Sequence, residues 1–217
     1  MKTRVKICCI KSIEEAEMAV RYGANALGFV SAMPSGPGPI SEDQTASIIQ
    51  HVPSGIATFL LTSKQDAPSI IEQQYRTRAN TLQLVDEVSI DTHKILRSAL
   101  PGVSIVQVIH VTGLDALDQA LSVSTFVDAL LLDSGNPNLA VKQLGGTGRV
   151  HDWSISRSIC ERAGVPVFLA GGLKPENVAD AIRTVRPFAV DVCNGVRTDG
   201  DLNEQKLRGF FAQVALA

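Results

Sequence analysis

The 217-residue chain is 45% hydrophobic and 19% charged with a formal net charge of −2, the balance of one folded domain over residues 1–217 rather than of a disordered segment. With 20 Lys and Arg against 22 Asp and Glu and no basic tail, it offers no field for nucleic acid or anionic lipid, so an anionic ligand must be held by local geometry. No apolar run approaches membrane-spanning length, and MKTRVKICC enters a strand without the apolar core of a secretory signal, which predicts a cytoplasmic protein.

The four cysteines, Cys8, Cys9, Cys160 and Cys193, lack zinc-site spacing and are expected to be reduced thiols. Short β-branched runs, loops of Gly, Ser, Pro or Asp, and segments of helical period repeat along the chain. They predict strands at 5–9, 26–30, 57–61, 81–85, 104–109, 129–133, 166–170 and 188–192. Helices are expected between and after them, at 13–22, 41–51, 68–78, 90–100, 113–122, 154–163, 175–185 and 203–214. Ser12 three residues before Glu15, Ser41 before Glu42-Asp43, and Pro175 within Lys174-Pro175-Glu176 mark helix starts. About eight strand–helix units without a linker favour an α/β fold, a single (β/α)8 TIM barrel, over an open doubly wound sheet.

In such a barrel the loops that follow the strands form the functional rim. They carry Cys8, Cys9 and Lys11; residues 31–39; Thr62 and Ser63; Asp86; His110; Asp133; Gly171 and Gly172; and Cys193, Asn194 and Gly195. Glycine-rich loops after the last two strands suit a phosphate, because bare amides approach its oxygens closely. Turn capping alone is the alternative explanation of these glycines, and the agreement of two successive loops favours phosphate over it.

Strand alternation puts Lys6 and Cys8 on one face, where a thiol beside an ammonium can take a proton from carbon. Asp133 ends the run DALLLD across the barrel and can give a proton to oxygen, and the loop after it closes with Gly145, Gly146, Thr147 and Gly148. An acid facing a base over a phosphosugar is the equipment of an isomerase. Taken singly, Cys8 is equally a small core residue and Asp133 a helix cap. Asp191 with Lys6 is expected to form an interior ion pair, and His110, at the end of the fifth strand, is a candidate to touch substrate, although a single strand-end histidine is more often structural.

VKICCI, GANALGFV, LLLDS, GGTGRVHDW, FLAGGLKPENV and RPFAVDVCNGV, kept in order through most of the chain, closely resemble the phosphoribosylanthranilate isomerase family. The resemblance implies a cofactor-free (β/α)8 barrel of tryptophan biosynthesis, with no metal, monomeric or homodimeric, acting on a small phosphosugar. Its reaction is an Amadori rearrangement of N-(5′-phosphoribosyl)anthranilate. It also implies Cys8 as general base, Asp133 as general acid, phosphate on the amides of Gly171, Gly172, Asn194 and Gly195, and Gly146 shaping the site.

The chain departs from the family at three places. Cys9 stands where KICG has glycine. Gly38, in SAMPSGPGPIS, stands near the place of an arginine that holds the aglycone carboxylate. CNGVR puts Arg197 where an acid is expected, making it either a candidate replacement for that arginine or, at least as readily, a solvated surface charge early in the last helix. Two further readings follow from the missing arginine: an isomerase of another phosphorylated aminosugar, or a non-catalytic phosphosugar-binding barrel. The loop at 33–39 has two glycines that favour motion and three prolines that oppose it.

Overall fold

The computed structural model describes residues 2–217. Eight parallel strands close a barrel in sequence order: β1 (Arg4–Ile7), β2 (Ala26–Val30), β3 (Ala57–Thr62), β4 (Thr81–Leu84), β5 (Ser104–His110), β6 (Ala129–Asp133), β7 (Val167–Leu169) and β8 (Ala189–Val192). Helices follow each of them: α1 (Ile13–Arg21), α2 (Glu42–Ile49), α3 (Ala67–Thr77), α4 (Ile90–Ala99), α5 (Asp115–Ser124), α6 (Trp153–Arg162), α7 (Val178–Val185) and α8 (Glu204–Ala215). β1 pairs with both β2 and β8, which closes the ring. The expected barrel is therefore the observed one.

The alternation of each strand divides the apolar residues into two cores. Ile7, Leu27, Leu60, Leu82, Ile105, Leu130, Leu169 and Val190 face outward under the helices. Cys8, Val30, Phe59, Leu61, Val106, Val108, Leu131, Phe168 and Ala189 fill the interior. Near-continuous burial of strands such as β2 and β6 follows from this two-sided packing.

Two helix starts behave as their sequence predicts. Ser12 Oγ accepts from Glu15 N at 3.2 Å and Ser41 Oγ from Gln44 N at 3.1 Å. The start of α7 does not: the helix begins at Val178, three residues beyond Pro175, because Asn177 is occupied otherwise. Its Oδ1 accepts from Lys174 N and its Nδ2 donates to Gly172 O, folding the preceding segment into a turn.

Two features were not anticipated from the sequence. After β8 the chain makes a short 3-10 turn (Asn194–Val196) and a small hairpin, β9 (Arg197–Thr198) with β10 (Asp201–Leu202), before α8. The expectation of four reduced cysteines is corrected for two of them: Cys9 and Cys193 form a disulfide, while Cys8 and Cys160 are free. Closure of the barrel brings β1 beside β8, so residues 184 apart in sequence meet at the strand ends. Among the described residues no helix is long and apolar enough to cross a membrane.

Candidate active site

A cavity of about 280 Å³ opens at the carboxyl ends of the strands. Cys8, Asp133, Gly146, Gly171, Gly172, Asn194 and Gly195 all line it, so seven of the residues singled out in the sequence converge on one space. Val30, Met33, Leu61, Val85, Leu131 and Leu144 give it an apolar lining.

Cys8 and Asp133 are both buried, as the last inward-facing residues of β1's extension and of β6. Burial pushes the Cys8 thiol up to about 11, against the opposing pull of Lys6 beneath it. Burial likewise raises Asp133 above the ordinary carboxylate range, although its Oδ1 accepts from Ser134 N at 2.7 Å. Its other oxygen faces Gly145, where an added Cβ would stand 2.8 Å away. A carboxyl whose charged form is disfavoured by burial is suited to donate a proton, and a thiol that is hard to ionise becomes a strong base once it has lost its proton.

At the rim three loops lock together. The Asn194 side chain donates to Gly146 O at 2.9 Å, tying the loop after β8 to the loop after β6. A Cβ on Gly195 would overlap the Leu173 carbonyl, and one on Gly172 would come 2.6 Å from the Arg149 carbonyl carbon. Gly171 and Gly172 also adopt positive φ values of 83° and 64°, the left-handed region that glycine enters without penalty. Packing thus accounts for these glycines, and it leaves their backbone bare at the cavity.

Two predicted residues lie elsewhere. Arg197 is a correction: its guanidinium is buried outside the cavity, 2.7 Å and 3.0 Å from the two oxygens of Glu15, and donates to the carbonyls of Cys8 and Cys9. It clamps the β1–α1 connection, so it is not free to receive a substrate carboxylate. His110 is buried beside Asp133 in the β5–β6 register, with Nε2 donating to Val85 O at 2.9 Å, and does not line the cavity.

The departures at Cys9 and Gly38 are coupled in space. Cys9 holds φ at 63°, the left-handed conformation for which glycine is the ordinary choice. A Cβ on Gly38 would come 2.7 Å from Cys9 Cβ, so a side chain at 9 excludes one at 38. Lys174, beside the glycine loops, is the one cationic residue lining the cavity among the described residues, and Lys142 is paired with Asp86 at 2.5 Å. No metal-ligand cluster of three His, Cys, Asp or Glu side chains occurs among them.

The family model for N-(5′-phosphoribosyl)anthranilate isomerase matches residues 5–213. The chain belongs to the phosphoribosylanthranilate isomerase family. It is 37% identical to the N-(5′-phosphoribosyl)anthranilate isomerase of Methanosarcina acetivorans over 99% of this chain and 94% of that protein. The phosphoribosylanthranilate isomerase of Thermotoga maritima superposes with a TM-score of 0.84 at 30% identity, covering 99% of this chain and 100% of that one. Another solved family structure, in complex with reduced 1-(o-carboxyphenylamino)-1-deoxyribulose 5-phosphate, gives a TM-score of 0.81 at 28% identity, covering 99% of this chain and 100% of that one. As a phosphoribosylanthranilate isomerase family member the chain is an aldose–ketose isomerase of tryptophan biosynthesis.

Proposed function

We propose that the chain rearranges N-(5′-phosphoribosyl)anthranilate, with Asp133 as general acid and Cys8 as general base. The observation that carries this is the convergence of a raised carboxyl and a buried free thiol on one cavity floored by glycine loops. Asp133 protonates the ribose ring oxygen, and the ring opens to a Schiff base. Cys8 then removes the C2′ proton to give an enolamine, which tautomerises to the aminodeoxyribulose phosphate. Amides of Gly171, Gly172, Asn194 and Gly195 hold the phosphate, and the apolar wall of Val30, Met33, Leu61 and Leu144 receives the aromatic ring.

Turnover is followed by loss of anthranilate-type fluorescence. Cys8→Ala and Asp133→Asn are each expected to lower kcat by roughly 10²–10⁴-fold while the protein stays folded. Retained activity in either variant removes that residue from the mechanism. A second reading, an isomerase of another phosphorylated aminosugar, is favoured by Gly38, which presents no cation to an aglycone carboxylate. A higher kcat/KM with an aminosugar phosphate that lacks the aromatic acid would establish it.

A further inference from the structure

Lys6 is fully buried in the barrel interior, one inward-facing position below Cys8. Its Nζ stands 3.0 Å from Asp191 Oδ2, its register partner on β8, and 5.1 Å from the centre of the Phe59 ring. Gly28 on β2 shows how close the ammonium comes to the thiol. A Cβ there would lie 2.9 Å from Cys8 Sγ and 3.0 Å from Lys6 Nζ, so both heads occupy the space a side chain would need. Neither Nζ nor Asp191 Oδ1 has an aligned hydrogen-bond partner. A buried ion pair kept for stability alone is a poor bargain unless its remaining protons and lone pairs are satisfied. Here the ammonium keeps protons that an ionised Cys8 can accept.

Resting on the assignment of Cys8 as the base, we infer that Lys6 is a positioning residue of this reaction: fixed and kept charged by Asp191, it is the counter-ion of the Cys8 thiolate. The thiolate takes the C2′ proton and becomes a neutral thiol. The C–H electron pair becomes the C1′–C2′ double bond as the iminium nitrogen recovers its lone pair. Cys8 later releases the proton to solvent, and Lys6 stays protonated throughout. Burial disfavours charge on Lys6, but Asp191 and Cys8 outweigh it and hold its pKa above the ordinary lysine value. On Cys8 the two partners act in opposite senses: Lys6 favours the thiolate and Asp191 disfavours it. The remaining titratable side chains on this side of the interior are Asp133 from β6 and His110 behind it. Gly28, Phe59 and Gln83, from β2, β3 and β4, do not titrate, nor does the Cys9–Cys193 disulfide.

The test uses the oxidised protein carrying Cys160→Ser, in which Cys8 is the one free thiol. Its ionisation is read from the pH dependence of alkylation by iodoacetamide, beside the pH profile of kcat/KM. Lys6→Met is expected to raise the thiol midpoint by at least about one pH unit and to lower kcat/KM by roughly tenfold or more, with KM little changed. Lys6→Arg restores part of both. Asp191→Asn is expected to move the midpoint the other way, downward. Should the single variants fold poorly, Lys6→Met with Asp191→Asn removes both charges together, and its midpoint should fall between those of the parent and of Lys6→Met. An unmoved midpoint on loss of Lys6, or the same direction of change in both single variants, overturns the inference. Full activity in Cys8→Ala instead overturns the assignment of the base itself, whatever the titrations show.

Discussion

Cys8 and Asp133 both resist ionisation because both are buried, and this sets the expected pH dependence. Reaction requires Asp133 protonated and Cys8 ionised. With the thiol pushed up to about 11 and the carboxyl raised by the same burial, the competent form is the one in which the shared proton sits on Asp133. Its fraction is constant between the two values, falls below the lower as the thiolate is lost, and falls above the higher as the acid is lost. The kcat/KM profile is therefore expected to have one limb near about 11 from the thiol and another above the ordinary carboxylate range from Asp133, with a plateau between them. A profile with no limb near about 11 would assign the base to another group. His151 makes a separate prediction about stability. Burial lowers it to about 4, with its Nε2 against Ser156 Oγ at 2.7 Å. Below about pH 6.5 the unfolded chain binds the proton that the folded protein refuses, so stability falls as pH drops from about 6.5 to 4, by roughly 3 kcal/mol in all. Urea unfolding of His151→Gln should show a flatter dependence across that window.

The loops owe their shape to elements distant in sequence. Glu15 illustrates this: it reads as the partner of Ser12 in a capping box, yet its carboxylate accepts from Arg197, Leu202 N and Lys11 N. Burial opposes its ionisation, but these donors outweigh it and hold its pKa below the usual value. The pattern at 12–15 was legible because capping is local. The fate of Arg197 was not, because only the β9–β10 hairpin turns it back against β1. Arg197→Met is expected to leave Glu15 buried without its counter-charge and to cost roughly 3–5 kcal/mol in denaturant unfolding. A double change that also replaces Glu15 with Gln should recover much of it. Gly195 belongs with the contacts between loops: any side chain there overlaps Leu173 O. Gly195→Ala is expected to raise KM for the phosphorylated substrate, with less effect on kcat, as the loops after β7 and β8 separate.

Across the molecule, the Cys9–Cys193 bond ties the end of β1 to the end of β8 and spans a sequence separation of 184. In the chain-entropy view, a closed loop of this size is worth on the order of 5 kcal/mol as an upper bound. Reduction should therefore lower the Tm by up to roughly 10–20 °C, and Cys9→Ser should reproduce the loss and abolish the effect of reductant. An unchanged Tm would show that barrel closure supplies the constraint without the bond. The strand and helix pattern, the two-sided burial of the barrel strands and the rim positions of Cys8, Asp133 and the glycine loops could all be read along the chain. Each depends on a short-range period of hydrophobicity or on a motif kept in order. The disulfide, the engagement of Arg197, the removal of His110 behind Asp133 and the mutual exclusion of side chains at 9 and 38 could not. Those are pairings across a closed ring, where residues far apart in sequence compete for the same few ångströms of buried space. No local pattern records which of them will be neighbours.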